Sequence, residues 1–296
     1  MTFLERNKYY ISLHAVIFMW GFTGILGRLI TIPSPSIVVL RMGIALVGLV
    51  AFMLATKRGF YTSNRNKLKY LGTGMVTAGH WILFFEALKV SNVSITLTTL
   101  ASTSLFVAFI EPFFFKRRIN PWEIFLGAGT LGGLAIIFQA ETDYSWGIML
   151  AIGSAMLAAL FGTLNGVFVK HDRPSLITAY EMLGGVLGIS VYYLFTGGFQ
   201  TFTPPTAMDW VWLLILGLLC TSLAFVVSIE VMKELSPFTV SMSINMEPIY
   251  AIIFALLIFQ EEEFMSPLFY LGAVIVIGMI FLNGYLKRRE RLKVKQ

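Results

Sequence analysis

Long apolar runs, separated by short polar or Gly/Pro-containing stretches, dominate the pattern along the chain. A membrane-spanning helix needs roughly 20 mainly apolar residues, and Pro, Gly and polar clusters mark its ends. The pattern therefore predicts an all-α integral membrane protein with ten spans and short loops. The predicted limits are Tyr10 to Ile30, Ile37 to Thr56, Leu68 to Leu88, Ser94 to Phe115, Trp122 to Phe138, Trp146 to Val169, Leu176 to Thr196, Trp210 to Met232, Phe238 to Phe259 and Leu268 to Tyr285.

Composition supports this interpretation and excludes a water-soluble globular protein. Of the 296 residues, 57% are hydrophobic and 13% are charged, whereas soluble domains carry about 45–50% apolar and about 25% charged residues. Ten spans leave no room for a separate soluble domain. The single cysteine, Cys220, excludes an intramolecular disulfide, and we interpret it as a small packing residue.

The net charge of +6 raises the question of nucleic-acid binding, but the positions of the basic residues favour another explanation. If the N-terminus is inside, 19 of the 22 Lys and Arg residues fall in cytoplasmic segments, as the positive-inside rule expects. The outer loops instead carry Glu141, Asp143, Asp209 and Glu261 to Glu263. We therefore predict cytoplasmic termini, a basic tail that contacts lipid headgroups and binds no nucleic acid, and a multi-pass protein of a bacterial plasma (inner) membrane.

The two halves of the chain resemble each other weakly but in order. At an offset of 144 residues, Leu88-Lys89 falls on Met232-Lys233, Thr99 on Ser243 and Phe106 on Tyr250. This predicts two five-span repeats, residues 1–143 and 144–296. Because five is odd, the second repeat must cross the membrane in the opposite direction, which is the arrangement of many alternating-access transporters.

Several short motifs together resemble the EamA branch of the drug/metabolite transporter superfamily. They are Trp20-Gly21 in span 1, Ala87-Leu88-Lys89 closing span 3, Glu247-Pro248 followed by Phe259-Gln260-Glu261, and Gly272 to Gly278 in span 10. The resemblance implies a ten-helix basket with a central cavity formed mainly by spans 1, 3, 4, 6, 8 and 9. It also implies export or exchange of small metabolites such as amino acids. The sequence departs from the family pattern at Ser104, which stands at the counterpart of Pro248.

Glu247 is the strongest candidate for a functional residue. Ionisable groups near the middle of a membrane helix are costly and face protein or water, and only Glu247 and His80 have that position here. Thr239, Ser243, Glu247 and Tyr250 have helical spacing and predict one polar stripe, while Pro248 frees the carbonyl of residue 244. The carboxylate could bind an ammonium group or a proton, or it could form a helix–helix hydrogen bond that supports a kink.

Other mid-span residues complete the predicted site, each with a structural alternative. Thr99, Thr103 and Phe106 form the uncharged counterpart stripe, although hydroxyls in membrane helices often bond their own helix. His80 could relay protons or bond across helices, and Trp20 and Trp81 could line a cavity or fill the core. The predicted substrate-binding residues are Trp20, His80, Trp81, Thr99, Thr103, Phe106, Ser243, Glu247 and Tyr250, and the candidates for proton coupling are Glu247 and His80.

Ionisable residues closer to span ends are expected to anchor or pair. This group contains Arg28, Glu86, Glu111, Glu230 and His14, because side chains there can reach the membrane surface. Arg41 and Glu181 are expected to lie five or six residues inside opposite membrane faces, as gate contacts or snorkelled ends. Gly129/Gly133 and Gly184/Gly188 have the spacing that allows close helix packing.

The sequence favours a secondary transporter over an enzyme, and it favours export as the direction of transport. No P-loop for ATP is present, and neither paired metal-binding carboxylates nor a nucleophile with its base can be recognised. We expect no metal or cofactor. An intramembrane lipid-modifying enzyme or a lipid scramblase remains the alternative.

Overall fold

The computed structural model describes residues 3–119, 121–200, 202–244, 246–260 and 264–293, without the side chains of residues 3–6, 280, 283, 284 and 287–293. The predicted acidic loop Glu261 to Glu263 lies outside these residues. All regular elements in the described ranges are helical. The helices are α1 Phe3–Leu29, α2 Ser34–Ala55, α3 Asn64–Val90, α4 Val93–Leu100, α5 Thr103–Phe115, α6 Pro121–Ala140, α7 Ser145–Phe168, α8 Pro174–Thr196, α9 Ala207–Gly217, α10 Ala224–Val231, α11 Pro237–Ile244, α12 Glu247–Phe259 and α13 Pro267–Lys293.

Several helix ends follow from their sequence. The Asn92 side chain accepts a hydrogen bond from the Ile95 amide at 2.9 Å and caps α4, as expected for Asn at an N-cap. Thr206 and Asp209 form a reciprocal capping box at the start of α9. Gly197 ends α8 in a left-handed conformation, with φ of 72°, which glycine adopts without steric cost.

Among the residues that the structure describes, eight segments are long and apolar enough to cross a membrane. They include the joined pairs α4–α5, α9–α10 and α11–α12, and α1, α2, α6, α7 and α8 complete the set. The chain is therefore a multi-pass membrane protein. The exact number of ten spans and their inverted arrangement stay predictions.

Two of the predicted continuous spans are interrupted, and the interruptions correspond in position. One predicted span is divided into α4 and α5, and another into α11 and α12. Each boundary of the second pair lies 144 residues after the matching boundary of the first. Pro248 accounts for the second break because it has no amide hydrogen.

The first break forms without a proline. Ala101 and Ser102 donate their amide hydrogens to carbonyls three residues back, at Thr98 and Thr99. The Thr103 hydroxyl donates to the Leu100 carbonyl at 2.7 Å and the Ser104 hydroxyl to the Ala101 carbonyl at 3.0 Å. Backbone and side-chain hydrogen bonds thus satisfy a tightened turn in place of the regular helical ladder.

A third irregularity is a π-helical turn, Leu218–Leu223, between α9 and α10. The Thr221 hydroxyl donates to the Leu216 carbonyl, five residues back, at 2.7 Å. Such turns often occur at functional sites. This one carries Cys220, which is buried as the sequence predicted.

The helices pack closely where glycines face each other. A Cβ atom added at Gly184 in α8 would lie 2.1 Å from the Leu71 carbonyl oxygen of α3. In the same way, a Cβ at Gly133 in α6 would lie 2.8 Å from the Gly272 carbonyl oxygen of α13. The close packing predicted from the glycine spacing is confirmed. These contacts join α3 to α8 and α6 to α13 around a buried apolar core.

Candidate functional site

A central cavity lies where the broken helices meet the rest of the bundle. Its volume is about 110 Å³, well above the roughly 10–15 Å³ that one water requires. Helices from both halves of the chain form its wall, and both helix breaks border it. The lining residues are Trp20, Thr23, Arg41, His80, Trp81, Phe84, Leu97, Leu100, Ala101, Thr103, Val107, Ala158, Phe161, Gly162, Asn165, Phe225, Ser228, Met232, Pro237, Val240, Ser241, Ile244, Glu247 and Pro248.

The cavity wall contains five of the nine predicted substrate-binding residues. These five are Trp20, His80, Trp81, Thr103 and Glu247. The other four predicted residues lie outside the lining. Thr99 is fully buried, Phe106 packs against the core beside α11, Ser243 donates to the Thr239 carbonyl, and Tyr250 packs against Phe18.

The break between α11 and α12 separates the predicted polar stripe. The stripe requires one continuous helix through Thr239, Ser243, Glu247 and Tyr250, but α11 ends at Ile244 and α12 begins at Glu247. The irregular turn changes the direction of the side chains that follow it. Glu247 consequently borders the cavity, whereas Ser243 and Tyr250 do not.

Glu247 is the first residue of α12 and its side chain is almost fully buried, with 6% of the residue exposed. It lies close enough to Arg41 for electrostatic attraction. Within the described part of the chain, however, the two make no ion pair within 4.0 Å. The cavity wall thus carries a carboxyl group and a guanidinium that form no direct ion pair in the described structure.

His80 bonds across helices and also borders the cavity. Its Nδ1 lies 2.8 Å from the Ser154 hydroxyl oxygen and 2.9 Å from the Ser154 carbonyl oxygen. The Ser154 hydroxyl donates to the His80 carbonyl at 3.0 Å. The α3–α7 contact therefore fixes the orientation of the imidazole.

Aromatic rings form much of the remaining wall. The Phe225 ring centroid lies 6.5 Å from that of Trp20, 5.7 Å from that of Trp81 and 5.7 Å from that of Phe161. The Trp20 indole also donates from Nε1 to the Cys220 carbonyl in the π-helical turn, at 3.0 Å. Both tryptophans thus pack in the core and also line the cavity. The two roles that the sequence offers for them, core packing and cavity lining, therefore occur together. Such a wall suits an apolar or aromatic group.

Arg41 and Glu181 do not reach the membrane surface, so the expectation of snorkelled ends is wrong. Arg41 is 1% exposed and Glu181 is fully buried. Arg41 donates from Nε to the Thr221 hydroxyl at 2.6 Å, and its guanidinium lies 3.8 Å from the centre of the Trp81 ring. Glu181 accepts from the Asn165 amide at 3.4 Å. Arg41 borders the cavity and was missed as a site residue, although a basic residue inside an apolar run is itself a signal of function.

Residues near the other helix ends anchor and pair as the sequence predicted. Arg28 donates to the Ser91 carbonyl at 2.7 Å, Glu86 accepts from the Ser34 hydroxyl, and Glu230 pairs with Lys233 at 2.7 Å. Glu111 accepts from the Phe238 amide at 2.8 Å and so ties α5 to the start of α11.

Arg117 links Glu111 to Glu123 beyond the end of α5. Its Nη2 lies 2.8 Å from a Glu123 oxygen and its Nε lies 3.4 Å from a Glu111 oxygen. Burial alone would lower the pKa of Arg117, but the hydrogen bond to Glu123 and the charge of Glu111 raise it above its usual value. Arg117 therefore stays charged and holds the α5–α6 turn.

The two ends of the cavity differ. Its lining extends to Met232 and Pro237, near the ends of α10 and α11 that the charge pattern assigns to the cytoplasm. At the other end, Asp209 at the start of α9 accepts from the Thr31 amide and hydroxyl, both at 2.9 Å. Lys89 donates to the Ile32 carbonyl beside this contact. These bonds join the α1–α2 turn to α3 and α9.

Comparison with known proteins decides the family. The model of the EamA-like transporter family matches residues 7–139 and, separately, residues 145–285. The chain belongs to the EamA-like transporter family. The resemblance found in the sequence is thereby confirmed, including membership of the drug/metabolite transporter superfamily.

Named relatives agree with a role in transport. The chain is 25% identical over 295 residues to the uncharacterized transporter YetK of Bacillus subtilis (strain 168), covering 95% of this chain and 88% of the relative. It is 21% identical over 259 residues to the uncharacterized transporter YxxF of the same organism, covering 84% and 81%. Both relatives are thus named as transporters.

A solved crystal structure is similar in fold. It superposes with a TM-score of 0.71 at 16% identity, covering 96% of this chain and 99% of the other. At this identity the likeness extends to the fold alone.

Proposed function

We propose that this EamA-like protein is a secondary transporter that exports a small amphipathic metabolite, such as an amino acid, by alternating access. The observation that carries the proposal is the central cavity. It combines an aromatic wall with the buried carboxylate of Glu247, and both broken helices border it. Transporters commonly bind substrates between discontinuous helices near the middle of the membrane.

Three observations support an inverted pair of five-helix repeats at residues 1–143 and 144–296. The family model matches twice, once in each half. The two broken helices have boundaries separated by a constant 144 residues. The charges of their following loops are opposite in sign, with Lys116, Arg117 and Arg118 after the first and Glu261 to Glu263 after the second. Opposite charge at equivalent positions is expected if the halves cross the membrane in opposite directions.

Glu247 is the proposed site for an ammonium group or a proton, with His80 as the second candidate for proton coupling. The side chain of Glu247 is buried and attracted by Arg41, and the His80 imidazole borders the same cavity. A proton on the carboxylate and a cationic substrate would compete for one negative charge. Competition of this kind couples the two fluxes in an exchanger.

The test is counterflow of labelled amino acids in proteoliposomes that contain the purified protein, between pH 5.5 and 8. We expect wild-type counterflow to depend on pH. We expect Glu247→Gln to remove the pH dependence and to lower the rate at least about tenfold, since a charged hydrogen bond contributes about 1.5–3 kcal/mol and 1.4 kcal/mol is a factor of ten.

The matched control is Glu230→Gln, which removes an exposed carboxylate that pairs with Lys233 outside the cavity. It should keep the wild-type rate and pH profile. A Glu247→Gln protein that is folded and still shows the wild-type pH profile would exclude Glu247 from coupling. Formation of a modified lipid, or lipid flipping without metabolite flux, would instead support the enzyme or the scramblase.

A further inference from the structure

Arg41 is a buried cation whose surroundings are only partly explained by packing. It lies in α2, 1% exposed, with its Nε donating to Thr221 and its plane over Trp81. Stacking on an aromatic face stabilises a cation. A neutral hydroxyl and a ring do not, however, supply the opposite charge that a buried ion normally requires.

The unused hydrogen-bonding capacity of Arg41 points to a missing partner. Its Nη1 is buried and has no hydrogen-bond partner among the described residues, and no carboxylate there lies within 4.0 Å of its nitrogens. Ser241 Oγ and Asn165 Oδ1, on other sides of the cavity, also lack partners within the described chain. A buried polar atom without a partner destabilises the fold, and a charged one does so more strongly.

We propose that Arg41 is the anion-binding residue of the cavity and that it takes the carboxylate of the substrate. This inference rests on the proposed transport function and narrows its substrate class. A guanidinium presents adjacent N–H groups in a plane that matches a carboxylate. A ligand carboxylate at Arg41 would satisfy Nη1 and neutralise the buried charge in one step.

Glu247 completes the recognition of a zwitterion. Its carboxylate borders the same cavity as Arg41 and attracts it without forming a direct ion pair in the described structure. An ammonium at Glu247 and a carboxylate at Arg41 would neutralise both groups together. A simple amine would leave Arg41 without a partner, and a simple acid would do the same to Glu247. Apolar side chains of the substrate would then contact the ring of Phe225 and its neighbours.

The guanidinium is held in place before any ligand binds. Thr221, which accepts from Arg41 Nε, belongs to the same π-helical turn whose Cys220 carbonyl accepts from Trp20. The turn thus orients a cation and an aromatic wall at once. Preorganised groups bind more tightly because less ordering accompanies binding.

The experiment compares three related probes by thermal stabilisation of the purified full-length protein. They are leucine, its decarboxylated amine 3-methylbutylamine, and its deaminated acid 4-methylpentanoate; phenylalanine with phenethylamine and 3-phenylpropanoate form a second set. A ligand that binds the folded state raises the melting temperature. We expect stabilisation of the wild type by the amino acids, with at least a tenfold weaker apparent affinity for the corresponding amine and acid.

Variants then assign the selectivity to Arg41. Arg41→Gln should lose the preference of the amino acid over its amine, and Arg41→Lys should keep the preference but bind the amino acid about tenfold more weakly. Each comparison is a ratio between ligands on one protein, so a general loss of stability cancels. Arg58→Gln, at an exposed position outside the cavity, is the matched control and should behave as the wild type.

The outcomes separate this inference from the transport proposal. The role of Arg41 is overturned if amine and amino acid stabilise the wild type equally, or if Arg41→Gln keeps the preference for the amino acid. Neither result contradicts the transport proposal. If Arg41→Gln does not fold, an unchanged amino-acid affinity in Arg41→Lys overturns it equally. If no amino acid stabilises the wild type, the zwitterion class is wrong. Counterflow of other metabolites then decides separately whether the protein is a transporter.

Discussion

At the scale of single residues, the carboxylate of Asp172 joins the turn between α7 and α8 to the first part of α3. It lies in the turn between α7 and α8 and accepts from Tyr70 at 2.6 Å, Thr62 at 2.7 Å and Asn66 at 3.1 Å. Partial burial favours the neutral acid, but the three hydrogen bonds outweigh it and hold the pKa of Asp172 below its usual value. The charged form is therefore the one that the fold stabilises.

This carboxylate should make stability depend on pH in the acid range. A depressed pKa in the folded state contributes stability above the usual carboxylate pKa, near 4, and this contribution is lost as the pH falls through the folded value. We expect Asp172→Asn to lower the unfolding free energy at pH 7 by about 1 kcal/mol. The difference from the wild type should disappear toward pH 3. Melting in detergent between pH 3 and 8 measures it.

The exposed residue Asp143, in a short 3₁₀ turn between α6 and α7, provides the control for this prediction. Asp143→Asn should follow the wild-type melting profile throughout. A difference between Asp172→Asn and wild type that stays constant with pH would show that the charge of Asp172 does not act through these hydrogen bonds.

At the scale of elements, the close contact between α3 and α8 requires glycine, which has no side chain, on both helices. The Cβ missing at Gly184 would collide with the Leu71 carbonyl oxygen at 2.1 Å, and one at Gly74 would collide with the Glu181 carbonyl oxygen at 1.9 Å. Carbonyl groups within a helix cannot rotate aside as a side chain can. The two helices can cross this closely only because both positions are glycine.

Replacing Gly184 by alanine should therefore separate α3 from α8. We expect Gly184→Ala to cost about 3 kcal/mol or more, at the upper end for overpacked sites, and to appear as a lower melting temperature with poor expression. Gly72→Ala is the matched control in α3, because a Cβ there meets nothing within 4 Å. It should be neutral, or stabilising by up to about 1 kcal/mol through helix propensity. Equal melting temperatures for the two variants would contradict the close contact.

Hydropathy predicts most of the helices, because a membrane span is recognised from about 20 mainly apolar residues together and not from any single one. The limits of α2, α7 and α8 agree with the predicted spans to within a few residues. Hydropathy did not predict the break between α4 and α5, because hydrogen bonds made by Thr103, Ser104 and the local backbone produce it without a proline.

Side-chain direction was harder to predict than helix position. Helical spacing predicts Ser243 and Tyr250 beside Glu247, but that spacing fails across an irregular turn. The distance of Arg41 from the end of its span predicts a position near a membrane face. In the structure, Arg41 contacts Thr221 in the π-helical turn, 180 residues later in the chain. The sequence around Arg41 cannot predict a contact with so distant a residue.

At the scale of the whole molecule, hydrogen bonds close one end of the bundle while the cavity extends toward the other. Asp209 accepts hydrogen bonds from the Thr31 amide and hydroxyl, and Arg28 donates to the Ser91 carbonyl at the end of α3. The cavity lining reaches Met232 and Pro237 on the opposite side. An alternating-access cycle would need the Asp209 contact to open.

Asp209→Ala should therefore shift the protein toward a state that is open at the Asp209 end. Charged hydrogen bonds contribute about 1.5–3 kcal/mol each, so losing the two from Thr31 can move the equilibrium by more than tenfold. The measurement uses a single cysteine at the cavity wall, introduced as Thr23→Cys in a Cys220→Ser background. A membrane-impermeant thiol reagent is applied from the predicted outer side. We expect this cysteine to react severalfold faster with Asp209→Ala than with Asp209 in place.

Asp143→Ala serves as the matched control for this experiment, because Asp143 is an exposed acidic residue in the short 3₁₀ turn before α7, on the same predicted side. It should leave the labelling rate of the cysteine unchanged. An Asp209→Ala protein that is folded but labelled at the wild-type rate would show that this contact does not govern access.

The two broken helices differ in a way that bears on how the molecule can move. Pro248 can never donate an amide hydrogen, so the bend before α12 is permanent. The bend between α4 and α5 contains only residues with amide hydrogens, and the hydroxyls of Thr103 and Ser104 donate to carbonyls within it. A carbonyl oxygen has two lone pairs, so neither hydroxyl bond prevents a helical amide from donating to the same carbonyl. Straightening into a regular helix is therefore open to the first bend but not to the second, where the Ile244 carbonyl cannot receive the amide hydrogen that Pro248 lacks. If the cavity changes shape during transport, we expect the α4–α5 bend to change more than the bend before α12.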